Sequence, residues 1–326
     1  MKTRRRNYNP VAGAPTTSHR KRVKLTTSIG HNFFNMLPDD IVLSIFIKVG
    51  STADCPSDFV AGVSTCRRFK TLGVNSLVLS KASAETFAVK AGNWSEFAHR
   101  FLQRCSDAGN VEASYTLGMI QFYCFQNRRI GAALMAKAAI KSHAPALYSL
   151  AIIQFNGSGG SKNIKDLIGG VTLCARAAFL GHIDAIRELG HCLKDGYGIG
   201  KNTVEGQRFL IEANARELST ICSKHSSALL SGDRKNLHLL VSDFGFCLPC
   251  SRSHPANRFL VDWFGDRRLD PALRVCCYGG CGRPETRVNE FRRCSVCSVM
   301  NYCSRGCQAR DWTMGHNKNC RPPVRL

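Results

Sequence analysis

Apolar side chains between residues 35 and 50 recur at the spacing of one helix face, i, i+4, i+5 and i+8. The segment opens with Pro38 and two aspartates, which are typical of a helix N-terminus, and Gly50 follows its last turn. The apolar face consists of Leu37, Ile41, Val42, Ile45, Phe46 and Val49. Two further short segments follow, and the group is too small to bury a core alone. We therefore expect it to pack on another domain or on a partner.

A longer helical pattern repeats between residues 95 and 218. Segments 109–118, 142–151 and 181–190 share Ala at the fifth position and Leu at the ninth, and they alternate with the small-residue segments 134–140, 173–179 and 210–216. Two helices per unit and glycine-rich loops predict an α/α solenoid whose core comes from stacking. Residues 219–274 lose this pattern. Within them, residues 253–266 predict a capping helix with four inward side chains, which are Phe259, Leu260, Trp263 and Phe264.

The chain carries a formal net charge of +22, and its first 30 residues lack any hydrophobic period. We interpret residues 1–30 as a disordered basic tail, in which two basic clusters are either a nuclear localisation signal or simply solvated. No run of 18 apolar residues predicts a membrane span, and no apolar stretch after the basic region suggests a secretory signal. The expected location is the nucleus and/or the cytoplasm, where cysteines remain reduced.

Eight of the 17 cysteines lie between residues 276 and 320. Disulfides would be the competing interpretation, but a reducing compartment and a histidine at pair spacing favour zinc. Four close pairs of ligands predict two tetrahedral sites for two structural Zn²⁺ ions. The expected ligands are Cys276 (or Cys277), Cys281, Cys294, Cys297, Cys303, Cys307, His316 and Cys320. Both sites are closed and no nucleophile–base pair or cofactor loop is evident, so we expect no catalytic residues and no enzyme activity.

The cysteine-rich segment resembles a MYND zinc finger in its Tyr302-Cys303, Cys307-Gln308, Trp312 and His316-x3-Cys320 elements. The resemblance implies interleaved sites, one on Cys276, Cys281, Cys303 and Cys307 and one on Cys294, Cys297, His316 and Cys320. It favours Cys276 over Cys277, because that spacing is similar to plant members of the family. It also implies that Gln308 and Trp312 hold a proline-containing peptide, unless Trp312 packs the finger's own core. DNA contact by Arg292, Arg293, Arg305 and Arg310 is the weaker alternative.

The segment from Leu37-Pro38 to Phe69 resembles an F-box, and the repeats resemble Sel-type tetratricopeptide-like repeats. In this order, with a MYND finger at the end, the chain is similar to a plant F-box family. The resemblance implies docking onto a Skp-type adaptor of a cullin ubiquitin ligase. The implied adaptor contacts are Leu37, Pro38, Ile41, Val42, Ile45 and Phe46.

The expected architecture is mainly α, with F-box helices, an α/α solenoid and a small zinc-stabilised finger. The expected domains are a basic tail (1–30), an F-box (31–82), repeats (95–218), a capping region (219–274), the finger (275–320) and a tail (321–326). The function hypothesis is a non-catalytic substrate receptor of an SCF-type ligase, whose partners are the adaptor, a cullin and a protein substrate. The alternative is a nuclear scaffold or transcriptional cofactor that recruits proline-motif proteins. Substrate, pathway and oligomeric state stay open.

Overall fold

The structure is a computed structural model that describes residues 33–230, 253–266 and 269–323. It divides the chain into one unit that ends at Pro38 and a second that begins at Asp39. In the first unit, helix α1 spans Phe33–Met36. The interpretation of residues 1–30 as a disordered tail falls outside the described residues.

Four short helices open the second unit, and an aromatic cluster forms their core. They are α2 (Asp39–Thr52), α3 (Pro56–Val63), α4 (Arg67–Gly73) and α5 (Ser76–Lys81). Phe46 of α2 meets Phe59 and Phe69 edge-on, with ring centroids 6.5 and 5.3 Å apart. Edge-to-face contacts of this kind contribute about 0.5–1.5 kcal/mol beyond area burial. The group also packs on the repeats, as expected, because the ring of Phe59 lies 6.3 Å from that of Phe101 and the amide of Asn110 donates to the carbonyl of Leu79.

Helices α6 to α12 form the repeats as antiparallel pairs, and the predicted solenoid is confirmed. They are α6 (Glu96–Asp107), α7 (Val111–Met119), α8 (Arg128–Ile140), α9 (Ala144–Asn156), α10 (Leu167–Phe179), α11 (Ile183–Asp195) and α12 (Thr203–Leu230). Gly131 marks one close crossing, because a Cβ there would lie 2.5 Å from the backbone nitrogen of Phe122. Among the described helices, none has the length and apolar character that a bilayer span requires.

Helix capping explains why the inner helices α7, α9 and α11 repeat the same sequence frame. Asn110, His143 and His182 are their N-caps, and each side chain accepts a hydrogen bond from a backbone N–H three residues on. The donors are Ala113, Ala146 and Ala185, the alanines at the fifth position of each repeat. The side chains of all three alanines are fully buried, so a larger residue would push the helix pairs apart. The sequence repeat thus specifies both an N-cap for each inner helix and a close contact between neighbouring helices.

Helix α13 (Pro255–Asp266) forms where the sequence predicts it, and of the four predicted inward side chains Phe259, Leu260 and Trp263 are buried and Phe264 is half-buried. Phe259 meets Trp94 edge-on with ring centroids 5.2 Å apart, and Trp263 meets Phe125 edge-on at 5.3 Å. Both contacts are with the first repeats. The carboxylate of Glu112 adds a polar link, since its two oxygens lie 3.1 Å from Nε2 of His143 and of His254. The helix therefore fills the side of the solenoid near its beginning.

The finger contains two strands and two short helices. Strand β1 (Arg292–Arg293) pairs antiparallel with β2 (Asn301–Tyr302), and α14 (Arg305–Asp311) and α15 (Asn317–Asn319) follow. A π-helical turn, Trp312–His316, joins α14 to α15. The buried cysteines of the finger belong to the same hydrophobic cluster as the cores of α9 and α11. The finger and the repeats therefore share one core.

Candidate metal centres and the docking of the finger

Four buried thiols converge in the finger to form the first candidate metal centre. They belong to Cys276, Cys281, Cys303 and Cys307, and their sulfurs all lie within 4.8 Å of one another. The Sγ–Sγ distance is 3.5 Å for Cys281–Cys303 and for Cys303–Cys307. A disulfide requires about 2.05 Å, whereas tetrahedral Zn–S bonds of about 2.3 Å place two sulfurs roughly 3.8 Å apart. The geometry therefore fits a zinc ion and excludes sulfur–sulfur bonds.

The second candidate centre combines three thiols with an imidazole, from Cys294, Cys297, His316 and Cys320. Cys294 and Cys320 have sulfurs 3.8 Å apart, and Sγ of Cys297 lies 3.8 Å from Nε2 of His316. These separations again suit tetrahedral zinc, and the imidazole would coordinate through Nε2. The two groups are the interleaved sets that the MYND resemblance implies.

The backbone places these ligands by short local devices. Cys303 directly follows β2, and Cys307 lies in the first turn of α14. The N-cap Ser304 accepts a hydrogen bond of 3.0 Å from the backbone N–H of Cys307, which fixes the start of that helix. On the facing turn, the N–H of Cys276 donates to the carbonyl of Arg283 at 2.9 Å. Cysteines that are distant in sequence thus come close enough to bind one ion, because the turn that carries Cys276 faces the N-terminus of α14.

The structure also distinguishes the two neighbouring candidates for the first ligand. Cys276 is buried within the first group of thiols. Cys277 lies outside both groups, where its sulfur accepts a 3.3 Å hydrogen bond from the N–H of Asn301 and donates one to Oδ1 of the same residue. Successive residues of an extended segment point in opposite directions. The preference for Cys276 therefore has a geometric basis.

The finger is docked on the inner helices of the solenoid through groups next to its metal ligands. The side-chain amide of Asn156 donates to the carbonyl oxygen of Cys303 at 2.9 Å. Glu188 accepts a 3.1 Å hydrogen bond from the N–H of Gly306, and the hydroxyl of Tyr148 donates to Ser304 at 3.1 Å. The solenoid thus holds the segment that carries Cys303 and Cys307. This face of the repeats is occupied by the chain's own finger.

Four arginines of the finger contact the solenoid. Arg283 is buried and donates to the hydroxyl of Ser149 at 2.7 Å, and Arg287 donates to the carbonyl of Gly157 at the end of α9. Arg305 pairs with Asp195 at 2.9 Å, and Arg310 pairs with Asp184. A helix C-terminus favours a nearby cation, and a buried arginine needs a carboxylate partner because an unpaired buried charge is costly. Sequence reasoning missed this role, and it assigned Arg305 and Arg310 to the DNA alternative; the structure uses both in docking.

Comparisons with known proteins agree with these modules. A family model described as plant tetratrico peptide repeats matches residues 85–176, and one described as the MYND finger matches residues 277–320. F-box protein At1g67340 of Arabidopsis thaliana is 58% identical over 312 residues, which cover 91% of this chain and 82% of that protein. F-box protein At5g50450 of the same plant is 57% identical over 295 residues, which cover 90% of this chain and 86% of that protein. The chain belongs to this family of plant F-box proteins, with tetratricopeptide-like repeats and a terminal MYND finger.

Two solved structures are also similar to this F-box protein. The Sel1 repeat protein from Oxalobacter formigenes is 24% identical, covers 35% of this chain and 86% of its own, and has a TM-score of 0.33. The protective antigen c5321 of uropathogenic Escherichia coli displays an SLR fold and is 14% identical. The match covers 58% of this chain and 41% of the antigen, with a TM-score of 0.42.

The F-box residues implied as adaptor contacts divide into two classes. Val42 and Phe46 are buried among the chain's own helices, with 2% and 4% of their surface exposed. They stabilise α2 from within, so their assignment as contacts is corrected. Ile41 and Ile45 are 44% and 40% exposed on the same helix. In the first unit, Pro38 is exposed and Leu37 is half-buried, and a contact role for these four residues stays a prediction.

The residues implied in peptide binding lie on and just after α14. Gln308 is half-buried, and Trp312 keeps 40% of its surface exposed. The indole ring of Trp312 lies 5.6 Å from the imidazole of His316, so it partly covers the second metal centre. The side chain thus packs against the finger on one face and is open to solvent on the other. Peptide binding here remains a prediction.

Substituting a ligand should reduce the zinc content in a site-specific way. We expect Cys294→Ala or His316→Ala to lower the zinc content from about two to about one per chain, because a structural site needs four ligands. Cys277→Ala is the matched control, since this neighbouring thiol lies outside both groups and its removal should leave about two zinc ions in place. Elemental analysis of the purified full chain gives the count. Unchanged zinc in the ligand variants would disprove the assignment.

Proposed function

We propose that this F-box protein is the substrate-recognition subunit of an SCF-type ubiquitin ligase. The observation that carries the proposal is on α2, where Ile41 and Ile45 stay exposed while Val42 and Phe46 of the same helix are buried. An exposed apolar pair on a helix with a rigid aromatic core beneath it suits docking onto a partner's hydrophobic surface. The names of the Arabidopsis relatives support the same function. The partners would be a Skp-type adaptor and, through it, a cullin.

The repeats and the finger would then select the substrate. Because the finger is docked on α9 and α11, the two modules present a single rigid surface instead of two independent ones. The chain would carry out no bond chemistry itself. It would act by holding a target near a charged ubiquitin-conjugating enzyme, which raises the effective concentration of the target lysine. We place this activity in the nucleus and/or the cytoplasm.

The second candidate is a scaffold or transcriptional cofactor that captures proline-containing segments without ligase assembly. The exposed face of Trp312 favours it, since a flat indole suits an extended proline-rich peptide. The two candidates differ in what the F-box helices do. A scaffold would need α2 only as a packing element and would be indifferent to charges placed on its exposed side.

Adaptor capture tests the proposal directly. We expect the full chain to co-purify with a Skp-type adaptor and a cullin, and Ile41→Asp/Ile45→Asp to weaken this association by at least about tenfold, because buried apolar contacts carry such interfaces. Phe46 is unsuitable for substitution because its removal would damage the aromatic core. The matched control is Ile130→Asp/Ile168→Asp, two exposed isoleucines of α8 and α10. An intact chain that captures no adaptor would favour the scaffold.

A further inference from the structure

A cleft opens between the solenoid and the finger, where the loop after α9 meets strand β1. Its volume is about 410 Å³, which is in the range of ligand sites, about 300–1,000 Å³. We call it the junction cleft and define it by its floor, Ile152 and Phe155, and by its rim, Lys162, Lys165 and Arg292. The rim lysines come from the repeats and the rim arginine comes from the finger. Only the docked arrangement of the two modules creates this cleft.

The floor and one wall of the junction cleft are apolar and well packed. Ile152 and Phe155 are 1% and 5% exposed. The ring of Phe155 lies 5.8 Å from that of Tyr197, and the guanidinium of Arg305 lies over the Tyr197 ring, 4.9 Å from its centroid. These side chains are held on several sides, so the floor is preorganised for an apolar group.

The two acids that border the cleft are already engaged inside the protein. Glu290 is fully buried and accepts hydrogen bonds from the backbone N–H groups of Thr286 and Arg287, at 2.6 and 3.1 Å. Glu188 accepts from the N–H of Gly306 and lies 3.8 Å from Arg305. Glu188 also attracts Arg292 electrostatically, but neither carboxylate forms an ion pair within 4 Å with a rim cation in the described part of the chain. The negative charge nearest the cleft therefore serves to hold the finger together and in place.

The three rim cations differ from the docking arginines in that none of them forms an ion pair within 4 Å in the described part of the chain, although Arg292 lies in the field of Glu188 and Asp195. Within the described residues, no hydrogen bond or ion pair joins Lys162, Lys165 or Arg292 to another side chain, and all three are exposed. Arg305, at the same cleft, is paired with Asp195 at 2.9 Å. Cys303 also borders the cleft, but its thiol is buried in the first metal group. Three exposed cations, of which Lys162 and Lys165 are on the repeats and Arg292 is on the finger, thus surround an apolar floor.

We propose that the junction cleft binds an acidic peptide segment, whose carboxylate or phosphate groups reach the three rim cations while an apolar side chain contacts the floor. A short extended segment fits, because exposed lysine and arginine side chains adapt to anions along a chain and Phe155 offers a fixed apolar anchor. As a substrate contact, this site rests on the proposed ligase function. Peptide binding itself needs neither adaptor nor cullin and can be measured without them.

Fluorescence anisotropy with the full, zinc-loaded chain tests the site. The probe is a labelled peptide of alternating Glu and Leu, compared with the same peptide carrying Gln or phosphoserine in place of Glu. The test variant is Lys162→Glu/Lys165→Glu/Arg292→Glu. The control, Arg104→Glu/Arg129→Glu/Arg176→Glu, makes the same change in net charge on exposed residues of α6, α8 and α10. A second variant, Lys162→Glu/Lys165→Glu, leaves the finger untouched if the triple variant loses zinc.

We expect the Glu or phosphoserine peptide to bind, the Gln peptide not to bind, and the rim variants to lose at least about tenfold in affinity. The control should stay within about twofold, and salt should weaken binding, because exposed charges are screened. Whichever of the two anionic peptides binds more tightly shows whether the cleft prefers carboxylate or phosphate groups. Equal losses in rim and control variants, no binding of any peptide, or tighter capture of an oligonucleotide by the same cations would each overturn the proposal. Loss of adaptor capture with intact peptide binding would defeat the ligase role alone.

Discussion

Removing zinc is expected to destabilise the repeats together with the finger. Structural zinc contributes apparent free energies on the order of 10–16 kcal/mol in isolated finger peptides, which a module with two two-residue strands cannot replace. The segment around Cys303 and Cys307 is also what the solenoid holds, through Asn156, Glu188 and Tyr148. Once the thiolates lose their metal, these contacts have no fixed partner. The faces of α9 and α11 that the finger covers would then be exposed to water.

Hydrogen–deuterium exchange of the full chain, before and after chelation, measures this effect. We expect faster exchange in residues 276–320 and also in α9 and α11, and a melting temperature lower by at least about 10 °C. Added Zn²⁺ should restore protection and added Mg²⁺ should not, because thiolate sites select zinc over hard cations. The F-box helices α2 to α4 provide an internal reference. If chelation speeds exchange only in residues 276–320, the stability of the solenoid does not depend on the finger.

Asp184→Ala is expected to cost about 3 kcal/mol of folding free energy, because it leaves the guanidinium of Arg310 buried without its main carboxylate. Asp184 is 23% exposed and Arg310 is 12% exposed, so water replaces little of the lost interaction. The matched control is Asp195→Ala. Asp195 pairs with another finger arginine, Arg305, but is 48% exposed, and its loss should cost under about 1 kcal/mol. Denaturant unfolding of the zinc-loaded chains compares the two variants, and equal costs would contradict the burial argument.

The same pair predicts a pH dependence. Burial, the largest single influence, would raise the pKa of Asp184, but Arg310, His182 and Arg187 together outweigh it and hold this pKa below its ordinary value. A carboxyl with a lowered folded pKa stabilises the protein above its unfolded pKa, about 3.9, and the contribution is lost as pH falls through the folded value. The stability difference between the wild-type chain and Asp184→Ala should therefore be constant near neutral pH and shrink in acid. Zinc content is measured at each pH, because zinc loss would release Arg310 from Asp184 in the wild-type chain alone and would shrink the difference by a second route.

Much of this F-box protein could be predicted from its sequence, because the relevant signals are local. The repeat frame reflects an Asn or His cap followed by a buried alanine, and both act within one helical turn. The cysteine pairs are closely spaced because two ligands of one zinc ion can come from a single turn or helix N-terminus. For the same reason the mainly α architecture and the finger followed from the pattern alone. Such signals need no knowledge of distant parts of the chain.

Only the tertiary structure decided which of these surfaces meet. A helical period shows that Val42, Ile41 and Phe46 share one apolar stripe, but it does not show which of them the neighbouring helices cover. Phe46 is buried because Phe59 and Phe69 pack against it. Ile41 is exposed because no such neighbour covers it among the described residues. Helix α13 likewise packs on the first repeats through aromatic contacts that its own sequence does not specify.

The finger's arginines show the physical reason most directly. Arg310 and Asp184 are 126 residues apart in sequence, and Asn156 is 147 residues from Cys303. Apolar burial is non-directional, so a sequence pattern states how much surface must be covered without stating by what. Charges and hydrogen bonds then select one arrangement among those that burial allows, because an unpaired buried group is costly. The sequence by itself determined the modules, and the fold alone determined that repeats and finger form one body with a basic cleft between them.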